Sequence, residues 1–197
     1  MKRILFVFTC LLAVILAASC VSKGGTSASA NDGRSVDSRF PQFVRDAVRN
    51  APEDTLIGVG TAKMASLSQS RTISATRARV EISRQMDIIV QDMVSDYQAG
   101  SEVDHSAVMA FNQNITVTLS RSRLQGASII EEDMDTAGNY WTVIALSKGG
   151  VVQEINQAVA AAKLAVPAMA SFNAEDRMNQ AFDRYVGTAE VGFSDRD

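Results

Sequence analysis

Residues 56–97 read LIGVGTAKMASLSQSRTISATRARVEISRQMDIIVQDMVSDY, and two hydrophobic patterns follow one another along this run. The segment 56–64 is short, mostly apolar and contains several β-branched residues, which predicts a buried strand. Ser66 and Gln69 then have the spacing of a helix-capping box. Apolar residues next recur at three- and four-residue steps, which predicts one long helix to about Tyr97 that Gly100 terminates. The stripe consists of Ala75, Ala78, Ile82, Met86, Ile89, Met93 and Tyr97.

The segments on either side of this run are also predicted to be helical. Pro41 suits the first turn of a short helix that stops near Pro52. Its apolar face is formed by Phe43, Val44, Ala47 and Val48. Residues 104–122 are ambiguous, because 115–119 alone would suit a strand. A helix is favoured, because an apolar stripe holds over three turns. That stripe is Val108, Phe111, Ile115 and Leu119.

The remaining segments predict a hairpin and two more helices. Residues 124–134 and 139–147 read as strands joined by the turn DTAGN at 135–139. Ser147 can cap a helix that ends before Pro167, and Asn173 can cap a last one. We therefore predict an α+β fold, a small three-stranded and mainly antiparallel sheet with the long helix and further helices on one face. The opposite face is expected to meet water, the terminal helix or another subunit.

Composition narrows the classes of protein to which the chain can belong. Of the 197 residues, 46% are hydrophobic, which is too many for a disordered chain. The balance of 19 basic against 22 acidic side chains argues against nucleic-acid binding. Cys10 and Cys20, the only cysteines, both lie in the first twenty residues, and His105 is the only histidine. This excludes a disulfide scaffold and a structural zinc site of the usual Cys/His kind.

The first twenty residues have the layout of a secretory signal. A positive start, Lys2 and Arg3, precedes fifteen uncharged residues, 4–18. As a helix these would span about 22 Å, short of the ~30 Å hydrocarbon core, so a signal peptide is favoured over a permanent membrane span. Removing the signal leaves 17 basic and 22 acidic side chains, a net charge of −5. With that negative charge the chain is not expected to bind anionic lipid headgroups electrostatically, so a lipid anchor is expected to hold it at a membrane.

Residues 16–20, Leu-Ala-Ala-Ser-Cys, resemble the lipobox of bacterial lipoproteins. The resemblance implies that the Cys20 thiol carries a diacylglyceryl group and that a peptidase cuts just before it. Ala17 stands where Leu is commonest, and an ordinary signal peptide cut near Ala18 is the alternative. Residues 20–39 are rich in Ser, Gly and Ala and predict a flexible tether with a reach of about 25 Å. The predicted order is thus signal peptide 1–19, tether 20–39, α+β domain 40–165, and C-terminal helix and tail 166–197.

The sequence contains only weak candidates for a nucleotide-binding or catalytic site. Gly58 and Gly60 lack the third glycine of a dinucleotide fingerprint, because Lys63 stands there, and we expect them to let the strand lie against the long helix. His105 could act as a general base beside Ser106, Asp104 or Glu102, but a solvated or capping role is favoured. We therefore predict no enzyme, no catalytic residue, no cofactor and no small-molecule substrate.

Charged clusters are interpreted as surface features. The acidic hairpin could offer oxygens to calcium, but its spacing is not that of an EF-hand, and an exposed acidic hairpin is the default. Its members are Glu131, Glu132, Asp133 and Asp135. The arginines at 71, 77, 79 and 84 do not share one helix face and predict a solvated surface. No metal site is predicted.

A second amphipathic stripe lies in the C-terminal segment and has two interpretations. Met178, Phe182 and Tyr185 either pack on the chain's own sheet, which is favoured, or dock on a neighbouring subunit or an envelope partner.

An ordered set of motifs resembles the Lpp-twenty family of bacterial envelope lipoproteins, named after the twenty-kilodalton lipoprotein of Helicobacter and including flagellum-associated members. The set consists of Cys20, Pro41-Gln42-Phe43-Val44, Ile57-Gly58-Val59-Gly60-Thr61-Ala62, Ala75-Thr76-Arg77-Ala78-Arg79-Val80-Glu81 and the strand pair at 124–130 and 140–146. Phe43 stands where the family often has Trp, and residues after Pro167 lie outside the match. The resemblance implies a non-enzymatic envelope protein that assembles or helps to build larger structures, with Cys20 as its lipid site.

Together these features predict a lipid-anchored bacterial cell-envelope protein, with the outer membrane favoured over the inner one. Its role is expected to be structural or assembly-related, through self-association into a homo-oligomer or docking to an envelope complex. A surface adhesin or a small-ligand-binding lipoprotein is the alternative.

Overall fold

The computed structural model describes residues 35–122, 124–188 and 191, without the side chain of residue 176. The helices are α1 Gln42–Asn50, α2 Leu67–Ala99, α3 His105–Ser120, α4 Lys148–Ala165 and α5 Glu175–Thr188, with a 3-10 turn at Pro167–Met169. The strands are β1 Thr55–Ala62, β2 Ser128–Met134 and β3 Tyr140–Ser147. They form an antiparallel sheet in the order β1-β3-β2. The predicted α+β class is confirmed, and the ambiguous segment 104–122 contains helix α3, as predicted.

Helix α2 begins and ends where the sequence predicts. The Ser66 side chain accepts a hydrogen bond from the Gln69 N–H, and Gly100 closes the last turn through its N–H to the Tyr97 carbonyl. The buried stripe differs at its start, because Ser70 and Ser74 take the place predicted for Ala75, which is half-buried. Ser74 faces the sheet there, and its hydroxyl lies 2.7 Å from that of Thr142.

Two glycines bring β1 against α2. A Cβ atom at Gly58 would lie 2.1 Å from the Ala78 carbonyl oxygen. A Cβ atom at Gly60 would lie 2.0 Å from the Ser74 carbonyl oxygen. Real side chains cannot approach a backbone oxygen so closely, so the strand and the helix touch only because both positions lack a side chain. The predicted packing role of these glycines is confirmed.

The sheet has a hydrophobic core on each face. The larger core joins α2, α3, α4 and α5 to one face. On the other face, Phe40 and the α1 residues Val44 and Val48 pack against Ile57 and Val143. The prediction placed the helices on one face and left the other to water, the terminal helix or a subunit. Instead α1 covers part of the second face, because the apolar face of α1 packs against the apolar side chains that β1 and β3 present there.

The predicted first strand of the hairpin is too long at its start. Residues 124–127 form a loop before β2 begins at Ser128. Leu124 has a φ of 50° and Gly126 a φ of 87°, which are left-handed conformations that a strand does not accommodate. Leu124 is nevertheless 3% exposed, so the loop is fixed by burying this side chain in the core.

Helix α5 packs on helices α2 and α4 of its own chain. Met178 and Phe182 are fully buried, and Tyr185 is partly buried, where burial raises its pKa to about 12. Lys148 at the start of α4 pairs with Asp183 at 2.6 Å. The predicted packing on the chain's own sheet is therefore wrong in its surface, because α5 packs within its own chain but against helices α2 and α4.

Residues 35–39, predicted as the end of the tether, contact the domain. Val36 forms a parallel bridge with Val191 through two hydrogen bonds, Asp37 N–H to the Val191 carbonyl at 3.1 Å and Val191 N–H to the Ser35 carbonyl at 3.0 Å. Phe40 then meets Trp141 edge to face at 5.8 Å between ring centroids. The predicted signal peptide, Cys20 and the rest of the tether lie outside the described residues.

The interface between α2 and α3 buries a carboxyl group that is incompletely hydrogen bonded. Asp87 Oδ1 and Asn112 Oδ1 are buried, and neither has a donor in the part of the chain that the structure describes. Burial raises the pKa of Asp87, and a hydrogen bond with Thr116 offsets part of this effect. An acid whose folded pKa is raised destabilises the fold at higher pH, because the unfolded chain releases its proton first.

We expect Asp87→Asn to stabilise the protein at pH 7 by about 0.5 to 1 kcal/mol, because a neutral amide is cheaper to bury and brings its own donor. The gain should fade as pH falls below the ordinary Asp value of 3.8, where the wild-type carboxyl is also neutral. Urea unfolding of both chains at pH 7 and pH 3 measures this. The exposed Glu102→Gln should change stability by less than about 0.5 kcal/mol. A loss of stability in Asp87→Asn at pH 7 would contradict the expectation.

Candidate interaction surface

The outer edge of β1 is closed by side chains from α2. In the β1–β3 register the carbonyls of Ile57 and Thr61 point away from β3. Gln85 Nε2 donates to the Ile57 carbonyl at 2.8 Å, and Arg77 Nη1 donates to the Thr61 carbonyl at 2.6 Å. These side chains occupy two of the outward carbonyls that an additional strand would need. The β1 edge is therefore obstructed at both of these positions.

The outer edge of β2 has no element packed along it among the described residues. The ladder directs the backbone groups of Glu132 and Met134 outward. The preceding carboxylates cover their N–H groups, Glu131 Oε1 at 3.1 Å and Asp133 Oδ1 at 2.7 Å. Three large apolar side chains of this strand are 40% to 52% exposed, namely Ile129, Ile130 and Met134. This backbone, covered only by the strand's own side chains, together with the exposed apolar side chains makes β2 the accessible edge of the sheet.

A groove of about 540 Å³ lies between β2 and α1. Its apolar lining includes Phe43, Ala47 and Ile130, and the carboxylates of Asp46 and Glu131 also border it. A bulge in β2 at Ile130 sets this side chain beside the groove. The groove therefore offers an apolar floor and two acidic rim groups directly beside the accessible edge.

The negative charge on this side of β2 is not neutralised within the described residues. Glu131 and Asp133 pair across the ladder with Val143 and Trp141, so they share the α1 face, whereas Glu132 lies on the α2 face and pairs with Arg71. Asp46, Glu131 and Asp133 form no ion pair in the described part of the chain. Asp46 accepts only amide hydrogen bonds from Gln42, the shorter at 2.8 Å. This surface is therefore acidic as well as apolar.

The turn between β2 and β3 is organised by Asp135. Its carboxylate accepts hydrogen bonds from the backbone N–H groups of Ala137 and Asn139, both at 2.9 Å, from the Asn139 amide at 2.8 Å and from Trp141 Nε1 at 2.9 Å. These bonds, the one from the Asn139 side chain foremost, lower the pKa of Asp135 to about 2. Gly138, with a φ of 83°, completes the turn in the left-handed region.

We expect Asp135→Asn to lower stability at pH 7 by about 1 to 2 kcal/mol, because an amide oxygen accepts these bonds more weakly than a carboxylate. A lowered folded pKa adds stability above the ordinary value of 3.8, and this is lost as pH falls through about 2. The variant should therefore lose less stability than the wild type over that window. Urea unfolding followed by the fluorescence of Trp141, the single tryptophan, measures both effects. Asp54→Asn is the control, and an unchanged pH profile in Asp135→Asn would contradict the expectation.

The other predicted candidates are not brought together as reactive groups. His105 is exposed, with Nδ1 2.5 Å from Gln98 Nε2, while Asp104 caps α3 by accepting from the Ser106 N–H at 2.6 Å. Hydrogen bonds with Ser106 lower the pKa of Asp104. Within the described ranges, no three His, Cys, Asp or Glu side chains form a group that could hold a metal ion. The oxygens of the acidic hairpin are held instead by the turn, by edge N–H groups and by Arg71.

A second groove, of about 500 Å³, lies between α2 and α5. Its lining includes Ile88, Ala181 and Tyr185. Arg184 crosses from α5 to Asp92 at 2.7 Å and to Asp96 at 2.6 Å on α2. This bridge ties the two helices together beside the groove.

Sequence reasoning did not identify the β2 edge or the groove beside it. One signal was available, since Glu131 and Asp133 alternate with Glu132 and are expected on one face of the strand. The sequence did not reveal that α1 lies next to that face, because helix placement depends on contacts between distant segments.

The chain was compared with known proteins in three ways. No protein-family model matches it. No curated protein matches it, and no solved structure matches it. Among the described residues, no helix has both the length and the apolar character needed to cross a membrane.

Proposed function

We propose that this chain is a lipid-anchored protein of the bacterial cell envelope with a non-enzymatic structural or assembly role. The observation that carries the proposal is the uncharged run 4–18, which ends within the segment Leu16-Ala17-Ala18-Ser19-Cys20. Lipid on Cys20 would hold the domain at a membrane, the outer membrane being favoured. The order of motifs that resembles the Lpp-twenty family supports the same role, which includes docking to flagellar or other envelope complexes.

The two unequal sheet edges support a docking role for the domain. Gln85 and Arg77 from α2 bind two outward carbonyls of β1, whereas the outward groups of β2 are bound only by side chains of the same strand, beside exposed apolar side chains and a groove. An accessible edge of this kind can pair with a strand of another chain. The proposed arrangement is therefore a membrane-held domain that meets other envelope proteins, or further copies of itself, through β2.

Lipid attachment is tested by feeding cells an alkyne analogue of palmitate and detecting label on the full-length chain. We expect the wild type to carry label and to sediment with membranes. Cys20→Ser should lose the label completely and leave the mature membrane fraction, because the thioether cannot form. Cys10→Ser is the matched control, since Cys10 lies inside the predicted signal, and it should keep both properties. Label retained in Cys20→Ser would contradict the proposal.

A second candidate, a small-ligand-binding lipoprotein, is favoured by the groove between α2 and α5. Its volume of about 500 Å³, with Ile88, Ile89 and Ala181 beside polar lining residues, suits a small amphipathic molecule. Native mass spectrometry of the protein purified from its cells tests this. A bound small molecule that Ile88→Lys removes would support ligand binding; an unliganded protein would leave the docking role as the better account.

A further inference from the structure

We propose that the partner of the β2 edge is an extended segment of another protein that carries two basic residues two positions apart, flanked by apolar residues. It would pair with β2 as an additional strand and place an apolar side chain in the groove beside α1. This inference rests on the docking role proposed above and names the chemistry of the partner. It is carried by the edge of β2 that no other strand pairs with, the carboxylates that cover it and the groove next to it.

The backbone of β2 is available to one incoming strand. Its neighbour on the inner side is β3, and the opposite edge of the sheet is closed by α2. The outward N–H groups of Glu132 and Met134 are satisfied only by the carboxylates of the residues before them. These are local bonds from exposed or half-buried side chains, so an incoming strand can replace them with carbonyl groups.

The displaced carboxylates determine which strand binds. A neutral or acidic strand would take the N–H groups and leave Glu131 and Asp133 without donors beside its own carbonyl oxygens. A strand with Lys or Arg at alternate positions gives each carboxylate a new charged donor when the old one is lost. Because side chains alternate along a strand, two such residues two positions apart would face Glu131 and Asp133.

The groove supplies the apolar part of recognition. Phe43 and Ala47 of α1 face Ile130 of β2 across it, and Asp46 adds a third carboxylate to its rim. An incoming strand beside β2 would direct alternate side chains to the α1 face, so an apolar residue two positions away from the basic pair would reach this space. A second copy of this chain is a poorer occupant, because pairing β2 with β2 would bring the Glu131 and Asp133 groups of two molecules together.

Peptide binding to the full-length protein in detergent tests the proposal. The probes are a fluorescein-labelled octapeptide of Val with Lys at two positions two apart, its twin with Glu in place of Lys, and the basic peptide N-methylated at every second residue. We expect the basic peptide to bind at least about tenfold more tightly than the acidic twin at low salt. N-methylation should weaken binding by about tenfold, because it removes the donors of a strand ladder.

Matched protein variants separate the edge from general charge. The pair Glu131→Gln and Asp133→Asn should weaken binding of the basic peptide by about five- to tenfold. The pair Glu102→Gln and Glu175→Gln changes net charge equally at exposed sites elsewhere and should leave affinity within about twofold. Urea midpoints of both variants establish that they are folded. In addition, Ile130→Ser should weaken binding by shortening the apolar wall of the groove.

Four results would overturn the proposal. They are equal affinity for the basic and acidic peptides, full binding of the N-methylated peptide, an equal loss in the control pair, and dimerisation of the edge variant without any peptide binding. The last result would mean that Glu131 and Asp133 serve to prevent two β2 edges from pairing with each other. If the peptides fail while Cys20 carries lipid, the anchored role stands and only the partner chemistry falls. If Cys20 carries no lipid while the basic peptide binds, the envelope role falls and the strand chemistry stands.

Discussion

Gly58→Ala is expected to lower the free energy of unfolding by at least about 3 kcal/mol. The new methyl group would be built 2.1 Å from the Ala78 carbonyl oxygen and 2.9 Å from the Ile82 side chain. The obstacle is helix backbone, which no rotamer change can move aside. β1 must therefore separate from α2, and that separation opens gaps among Leu56, Ile82 and the rest of the larger core. Urea unfolding of the full-length chain gives the midpoint and the slope from which the loss is obtained.

Two further glycine substitutions make this prediction specific. Gly60→Ala should cost a similar amount, because its methyl group would lie 2.0 Å from the Ser74 carbonyl oxygen and 2.5 Å from the Ala78 nitrogen. Gly149→Ala in α4 adds the same methyl group where nothing lies within 4 Å. It should leave stability unchanged or raise it by up to about 1 kcal/mol, because alanine is the better helix former. A Gly58→Ala protein as stable as Gly149→Ala would show that the strand and helix are not in close contact.

Glu154→Ala is expected to cost about 3 kcal/mol, because this α4 side chain holds the loop between α3 and β2. Glu154 is 4% exposed, accepts from the Gln125 N–H at 2.6 Å and bonds to the Ser122 hydroxyl, which in turn accepts from the Leu124 N–H at 3.0 Å. Truncation leaves these groups without their acceptor inside the protein. The loop then loses the bonds that keep Leu124 in its left-handed conformation.

The conservative variant separates hydrogen bonding from side-chain volume. Glu154→Gln keeps an acceptor for Gln125 and a donor for Ser122, so its loss should be about 1 kcal/mol. Gln157→Ala removes an exposed side chain from the same helix and should cost less than about 0.5 kcal/mol. Urea unfolding of the three variants measures the order. Equal losses in Glu154→Gln and Glu154→Ala would contradict the role assigned to the hydrogen bonds.

Local patterns were sufficient to predict most of the fold. Helix α3 was recognised because Val108, Phe111, Ile115 and Leu119 keep one face over its length, and all four are buried. The close packing of β1 was recognised from Gly58 and Gly60, since a strand rarely carries two glycines without an approaching backbone. These features depend on neighbours in the sequence.

The errors concern contacts between distant segments. The apolar face of α1 was predicted, but not the sheet surface it covers, because many surfaces can bury the same face. The strand predicted from residue 124 begins at Ser128, because Glu154, thirty positions further on, holds the preceding loop. The acidic hairpin was predicted to be exposed, but the groove beside it was not predicted, because Phe43 of α1 and Ile130 of β2 line it from distant parts of the sequence.

The bridge between Val36 and Val191 determines how the domain would respond to mechanical force. Tension applied to the chain before Ser35 reaches first the two hydrogen bonds of this bridge. It passes next to Phe40, which rests on Trp141 in β3, the central strand. A small force should break the bridge while the sheet stays intact. A larger force would then act on β3, which is held by neighbouring strands on both sides. The Val36–Val191 bridge would therefore break first under tension from the Cys20 side and leave the rest of the domain folded.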